Sequence, residues 1–313
     1  MGKVVRVLAP ARVHFGVLNP FGSAPGRKFV CLGLAVREPR TVVEAEYPGR
    51  GEVVPDIPEV RDVLARLWSV YEVDVDRVNV RVISHAPRHA GLGSTTQLKL
   101  SVGLCVLSLF GKSVDVVELA KVLGRGEVSG VGTYVFKHGG LVLDSGKLSD
   151  EFPMLTLRLE FPEEWTIIIG VPRRARGPDE VREHELFAST CEPELVYYAH
   201  FIVLNKLLPA VIGKNFTEFV SALEELQITV GKMFSKVQGG VFRKETETVL
   251  EIFRSFGLRG IGQSSWGPAA YGFLEHYDED LVSRLCRELE KADAECIVTR
   301  SDNVGARVLV IDQ

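Results

Sequence analysis

The segment His85–Gln97, HAPRHAGLGSTTQ, holds the densest set of residues able to do chemistry. It stands between a mostly apolar strand-like run, Val78–Ile83, and an apolar helical run, Leu98–Leu109. Gly91 and Gly93 let the backbone turn tightly and approach a ligand closely. Ser94, Thr95 and Thr96 follow at the helix start, where N–H groups lack partners and the dipole is positive. Together these features make an anion cradle whose usual guest is phosphate or diphosphate. A plain N-cap needs one hydroxyl, and three after two glycines exceed that need. Arg88 and His89 lie beside the loop and add positive charge. The spacing is neither GxxxxGKS/T nor GxGxxG.

Two further blocks carry polar groups in unusual company. Pro10–Gly16 reads PARVHFG, and the strand period puts Arg12 and His14 on one face. Gly262–Gly267 reads GQSSWG, offering Gln263, Ser264 and Ser265 as polar contacts ahead of Trp266. His85, His138, His184, His200 and His276 show no metal-ligand spacing, and neither HExxH nor GxSxG occurs.

The elements that must position these residues are legible in outline. Residues 3–8 and 11–18 read as strands, and 29–46 as two strands around a turn at Pro39. Asp56–Tyr71 has helical spacing, and Val114–Leu123 is a short helix before the glycine-rich GRGEVSGVG. Gly140–Leu143, Leu155–Leu159 and Trp165–Val171 are strand-like; helices dominate 180–257. Ala269–Glu275 is a strand and Asp280–Lys291 a helix, followed by strands at Cys296–Thr299 and Ala306–Ile311. The loop PRRARGPDE is sharply basic and rich in Pro and Gly, so the domain boundary is expected between residues 172 and 173, giving domains 1–172 and 173–313. Many strands early and helices later make the fold class α+β in two layers.

Composition narrows the function classes. The 313 residues are 46% hydrophobic and 25% charged, an ordinary soluble balance that excludes disorder, collagen and coiled coil as the whole-chain class. Lys plus Arg number 37 against 41 Asp plus Glu, a net −4 that advertises no nucleic-acid surface. The N-terminus has no apolar leader core, and Leu195–Gly213, the most membrane-like stretch, is interrupted by His200, Asn205, Lys206 and Pro209, so it reads as a buried helix. A cytoplasmic protein without a membrane partner is expected. The five cysteines are scattered with no CxxC pair, which points to free buried thiols over disulfides or zinc ligands. Asn and Gln, five of each, are few, as in heat-adapted chains.

APxxxGLGSTTQ resembles the PxxxGLGSS loop of the GHMP superfamily of small-molecule kinases. PARVHFG resembles that superfamily's first motif, and GQSSWG with the strand AAYGF its third. The resemblance spans residues 10 to about 273 and implies a GHMP-kinase-like fold, with an N-terminal half like the second domain of ribosomal protein S5 and a ferredoxin-like α/β C-terminal half. In mevalonate-type kinases an SGxD segment supplies an Asp that acts on the substrate hydroxyl. Here Ser129–Gly132 puts glycine at that place, and glycine offers no general base.

The chain is more similar to an archaeal branch, the β-ribofuranosylaminobenzene 5′-phosphate synthases. That branch combines an RxHFG start, a GLGSGTQ-like loop, GRGxxSGxG, GGxxxDxG and GQSSWGP. The corresponding residues are Arg12–Gly16, Gly91–Gln97, Gly124–Gly132, Gly139–Gly146 and Gly262–Pro268. The resemblance implies a glycosyltransferase joining phosphoribosyl pyrophosphate to 4-aminobenzoate or 4-hydroxybenzoate, with loss of CO2 and pyrophosphate, in methanopterin-type cofactor biosynthesis. It implies small-molecule substrates, a homodimer, Mg2+ held mainly by the diphosphate with the protein's own ligand unassigned, and no ATP. The alternatives are an ATP-dependent kinase of the same superfamily and a non-catalytic anion-binding relative.

On that reading Arg12, His14 and Glu183 are catalytic candidates. Arg88, Gly91, Gly93, Ser94, Thr95, Thr96, Gln97, Gly262, Gln263, Ser264, Ser265 and Trp266 would bind substrate and diphosphate. Trp266 admits two readings, a stacking surface for the arene or a core side chain. Glu183 and Glu185, behind the basic loop Arg173–Arg176, would hold magnesium or position the arene, or serve as first-turn helix charges. Asp144, at a strand end, is open in the same way.

Overall fold

The structure is a computed structural model that describes residues 2–178 and 186–312. Glu183 and Glu185 lie outside the described residues. A first sheet is built on two long strands, β1 (Lys3–Val17) and β2 (Cys31–Tyr47). They pair antiparallel from Lys3↔Tyr47 to Val17↔Cys31. The register jumps from Ala9↔Thr41 to Ala11↔Val36, so extra β2 residues bulge around Pro39. Proline has no N–H to donate to a ladder, and the bulge is where it costs nothing. The turn expected at Pro39 is therefore a bulge inside one strand, and the two strands expected in residues 3–18 are likewise one.

The bulge lets each half of β2 take a different neighbour. Its first half pairs with β5 (Leu141–Asp144), which continues to β6 (Leu155–Leu159). Its second half pairs with β4 (Asn79–Ser84), which carries the short β3 (Val53–Val54). Four helices accompany this sheet: α1 (Pro58–Tyr71), α2 (Ser94–Leu109), α3 (Val116–Val122) and α4 (Val131–His138). Helix α2 is apolar on nearly every side because it packs at once on β1, β2, α1 and α3.

A second sheet holds β7 (Thr166–Pro172), β8 (Arg259–Gln263), β9 (Ala270–Leu274) and β10 (Ala294–Thr299), in the order β10-β7-β9-β8. Its helices are α5 (Pro193–Ile212, with a π turn at Val203–Leu207), α6 (Phe216–Gln238), α7 (Lys244–Ser255) and α8 (Glu279–Lys291). The final strand, β11 (Arg307–Asp312), returns to the first sheet and pairs with β1. The expected boundary at 172/173 thus follows a strand of the second sheet, and the chain crosses between sheets twice. The halves share a core in which the Phe15 ring lies 5.3 Å from Tyr271 and 6.4 Å from Phe273. This packing fixes the end of β1 against the second half.

Three sequence readings need correction. Cys286 and Cys296 form a disulfide, while Cys31, Cys105 and Cys191 are free. Helix α8 and the strand after it fold back across a tight turn, which brings the two Cα atoms to 5.2 Å, within bridging distance. Helix α4 and strand β8 occupy stretches to which the sequence pattern assigns no element. Helix α5 is long and apolar enough to cross a membrane by length and composition; 44% of that span is buried, so it is a half-buried helix and not the buried one expected. It rests on α6 and leaves Tyr197, Phe201 and Leu204 exposed.

Candidate active site

The three blocks singled out in the sequence meet at the start of α2. Arg12 donates its backbone N–H to the Leu92 carbonyl at 3.1 Å and its Nη1 to the Gly91 carbonyl at 2.6 Å. Ser264 Oγ donates to the same Gly91 carbonyl at 2.6 Å and accepts the His14 N–H at 2.9 Å. The Ser265 N–H closes the ring of contacts on the His14 carbonyl at 3.3 Å. Gly91 (φ +85°) and Gly93 (φ +76°) are both left-handed, as the cradle requires. A Cβ on Gly91 would lie 2.2 Å from the Ser264 carbonyl oxygen, and one on Gly93 would lie 2.8 Å from Arg12 Cγ. The anion loop can lie against the other two blocks only because it has no side chain at these points.

A cleft of about 420 Å3 opens in front of the loop. Ser94, Thr95 and Thr96 line it at the first turn of α2, with Arg12, Lys99 and Arg125 as its cationic side chains. Arg125 Nε donates to Thr96 Oγ1 at 3.2 Å, and Lys99 Nζ to Asp62 Oδ2 at 3.1 Å. Sequence reasoning missed both cations. Lys99 sits four residues after Thr95, on the same helix face. Arg125 lies inside the GRGEVSGVG block, which was recognised as a motif without its arginine being assigned a role. Arg88, a candidate ligand, is ion-paired with Glu59, whose carboxylate borders the cleft.

A chamber of about 110 Å3 continues inward and shares Arg12, Thr96, Arg125 and Ser265 with the cleft. His14 and Gly132 line its inner part. The expected common face of Arg12 and His14 is thus a wall of this chamber. His14 is only 3% exposed, and its Nδ1 has no hydrogen-bond partner among the described residues. Burial, and secondly the charge of Arg12, hold its pKa well below the ordinary histidine value. His14 is neutral at physiological pH. Any stability linked to this shift is present above the ordinary value of about 6.5 and is lost as pH falls below it. Imidazole nitrogen chemical shifts should show His14 still neutral at pH values below the ordinary histidine midpoint. A midpoint near 6.5 would contradict the burial.

Other candidates act behind the surface. Gln97 is fully buried and donates from Nε2 to the Gly132 carbonyl at 2.8 Å, tying α2 to α4; it lines neither cleft nor chamber. It is the fourth residue of α2 and faces the neighbouring helix, so it is not a ligand contact. Gly262 is closed off in β8, where a Cβ would meet Gln227 Oε1 at 2.5 Å. Gln263 Oε1 accepts the Arg243 N–H at 2.8 Å and its Nε2 donates to the Ser265 carbonyl at 3.0 Å. Arg243 Nη1 holds the Trp266 carbonyl at 2.9 Å. Gln263 and Ser264 therefore shape the third loop, and Ser265, Trp266 and Gly267 are its members that reach the cleft.

Asp144 is also structural. It is fully buried and accepts N–H bonds from Cys31 (3.0 Å), Gly146 (3.0 Å) and Gly130 (2.7 Å), plus the Ser129 hydroxyl (3.3 Å). Burial pushes its carboxyl up to about 7, against these donors. It anchors the start of α4 and with it the wall of the chamber. Among the described residues no group of three or more His, Cys, Asp or Glu could hold a metal.

Replacing Ser94 and Thr95 together by alanine should leave the fold intact and weaken binding of inorganic pyrophosphate. Each hydrogen bond to a charged group is worth roughly 1.5–3 kcal/mol, so titration calorimetry should find at least about a tenfold loss. Unchanged affinity in a folded variant would move the anion elsewhere.

The GHMP kinases N-terminal domain model matches residues 60–140, which contain α2 and its loop. The structure is similar to mevalonate kinase from Methanococcus jannaschii (TM-score 0.70, 14% identity, 95% of this chain and 98% of that one). It is equally similar to phosphomevalonate kinase from Streptococcus pneumoniae (TM-score 0.70, 13% identity, 96% and 100%). At such identities these likenesses show the fold, which is the expected α+β GHMP-kinase fold. Sequence relatives reach further. β-Ribofuranosylphenol 5′-phosphate synthase from Archaeoglobus fulgidus is 30% identical over 98% of this chain and 100% of its own length. The enzyme of the same name from Methanocaldococcus jannaschii is 27% identical over 96% and 99%. With the three motif blocks gathered at one cleft and such relatives aligned end to end, the chain belongs to the β-ribofuranosylphenol 5′-phosphate synthase family.

Proposed function

We propose that this chain is a transferase that condenses phosphoribosyl pyrophosphate with 4-hydroxybenzoate, as a step in methanopterin-type cofactor biosynthesis. The products are the C-riboside 5′-phosphate, CO2 and pyrophosphate. The observation that carries the reading is the make-up of the cleft. The hydroxylated start of α2 and the cations Arg12, Lys99 and Arg125 lead to a neutral buried histidine, with glycine at position 132. The relatives' names support a ribofuranosyl phosphate product, and they favour the phenol over the amine.

The bookkeeping of the proposed reaction is simple. The ring carbon bearing the carboxylate bonds to the anomeric carbon of the ribose. The anomeric C–O bond breaks, and its electron pair leaves on pyrophosphate. The bond to the carboxylate then breaks, CO2 departs, and the pair restores the aromatic ring. No net proton is exchanged. Charge grows on the leaving diphosphate, so donors fixed at the cleft stabilise the transition state more than the bound donor. The helix start, Arg12, Lys99 and Arg125 supply that fixed field. A neutral His14 adds no further positive charge to that of Arg12 and Arg125 in the chamber, where the positive ribose carbon would form.

Mg2+ would accompany the diphosphate as its counter-ion, in keeping with its preference for phosphate oxygens and retained water. The second reading, a small-molecule kinase, rests on the fold alone. Pyrophosphate release measured without ATP separates the two. We expect release from phosphoribosyl pyrophosphate that depends on the arene and is indifferent to ATP. Activity only with ATP, yielding ADP, would overturn the proposal.

A further inference from the structure

Beside the chamber lies a narrow recess of about 40 Å3 between the end of β1 and helix α6. We propose that this recess takes the aromatic ring of the acceptor, with Val230, Phe234, Val241 and Trp266 as its walls and His14 at its mouth. The inference rests on the reading that the acceptor is an arene, and it adds Val230, Phe234 and Val241, which lie outside the motif blocks, to Trp266 as the walls around that ring.

Four observations carry it. The recess is contiguous with the donor side, since Trp266 and Ser265 line both it and the cleft, while His14 lines both it and the chamber. Its far wall is aromatic: the Phe234 ring meets Trp266 edge-on at 4.8 Å, and Phe187 meets the other side of the cluster at 5.6 Å from Trp266. Edge-to-face arrangements of this kind are how arene rings prefer to pack, and an entering ring extends the cluster. Its walls are drawn in by two glycines. A Cβ on Gly16 would lie 2.8 Å from Val230 Cγ2, and one on Gly231 would lie 2.3 Å from the Val241 carbonyl oxygen. The result is a narrow slot of about 40 Å3, smaller than a whole ring, which takes the leading edge of a planar ring and leaves the rest at the mouth beside His14.

The fourth observation is His14 Nδ1. Buried polar atoms are nearly always hydrogen-bonded, so a buried orphan calls for a partner. Among the recess walls it is the one buried side-chain polar atom without a partner in the described residues. A substituted arene supplies what the slot lacks: an apolar face for Phe234 and Trp266 and a polar substituent for His14. A ring seated there would also keep water, the competing nucleophile, from the reacting centre.

Two variants test the inference. Val241 is a half-buried loop residue, and Val241→Trp fills the slot with little disturbance of sheet or helix. Steady-state assays with phosphoribosyl pyrophosphate and 4-hydroxybenzoate should show the arene KM raised about tenfold or more, with donor KM within about twofold. Phe234→Ala widens the slot. It should raise kcat/KM for 6-hydroxy-2-naphthoate relative to 4-hydroxybenzoate about tenfold or more, a change of size preference that loss of stability does not produce. An active wild-type enzyme whose arene KM and size preference are untouched by both variants would overturn the recess while leaving the reaction standing. A wild-type enzyme that turns over no arene with the phosphoribosyl donor would overturn the proposed function and the recess with it.

Discussion

Arg12→Lys is expected to lower kcat/KM by about a hundredfold, a loss of roughly 2.7 kcal/mol of transition-state stabilisation. Arg12 does three things that a lysine does not do together. It holds the Gly91 carbonyl through Nη1, lies along Gly93, and lines both cleft and chamber. Lysine keeps the positive charge but loses the planar fork that both grips the loop and faces the ligand. The effect on stability should be small, a shift in Tm of no more than about 4 °C by scanning calorimetry. Full activity in the lysine variant would remove this face of β1 from the active site.

Gly91→Ala should be more damaging, with activity reduced a few hundredfold or more and Tm lowered by roughly 4–8 °C. Two costs add. An alanine at φ +85° is strained by about 1–2 kcal/mol. Its Cβ also meets the Ser264 carbonyl backbone, which has no flexible end to yield, at 2.2 Å. Relief requires the anion loop to leave the third loop, breaking the hydrogen bonds from Arg12 and Ser264 to the Gly91 carbonyl. Gly239→Ala is the control: its φ is +83°, but a Cβ there meets nothing within 4 Å. Kinetic and thermal measurements should show the control losing stability without losing activity. Equal losses of activity in both would mean that general strain, not the loop contact, is responsible.

These two variants lie in the part of the molecule that the sequence showed most clearly. The glycines, the hydroxyls of α2 and the RxH pair are local patterns, and local patterns survive in one dimension. What the sequence hid is set by distant partners. Helix α4 begins at a glycine-rich stretch because Asp144, fourteen positions later, accepts the Gly130 N–H and the Ser129 hydroxyl. Gln97 follows three cleft residues in sequence, yet the helical turn directs it to the Gly132 carbonyl.

The fold was legible to a similar depth. Runs of alternating and apolar residues located most elements, but β2 reads as two strands because a bulge at Pro39 looks like a turn until both strands are paired, and β1 reads as two with a break at Ala9–Pro10, where the register shifts. The return of β11 to β1 and the Cys286–Cys296 bridge depend on which strands lie side by side, which no single stretch records. Arg125 was hidden for another reason: in a loop rich in glycine, one cation looks like ordinary solvent-facing charge until its contact with Thr96 is seen.

The proposed chemistry has a direct test in the fate of the arene carboxylate. The enzyme is incubated with phosphoribosyl pyrophosphate, Mg2+ and 4-hydroxybenzoate labelled with 13C at the carboxylate, without ATP. Labelled CO2, pyrophosphate and product are followed together by mass spectrometry and NMR. The account predicts that the three appear in equal amounts and that the product carries the ribose 5-phosphate on carbon without the label. Retention of the label in a phosphorylated product, with ADP formed once ATP is added, would contradict it.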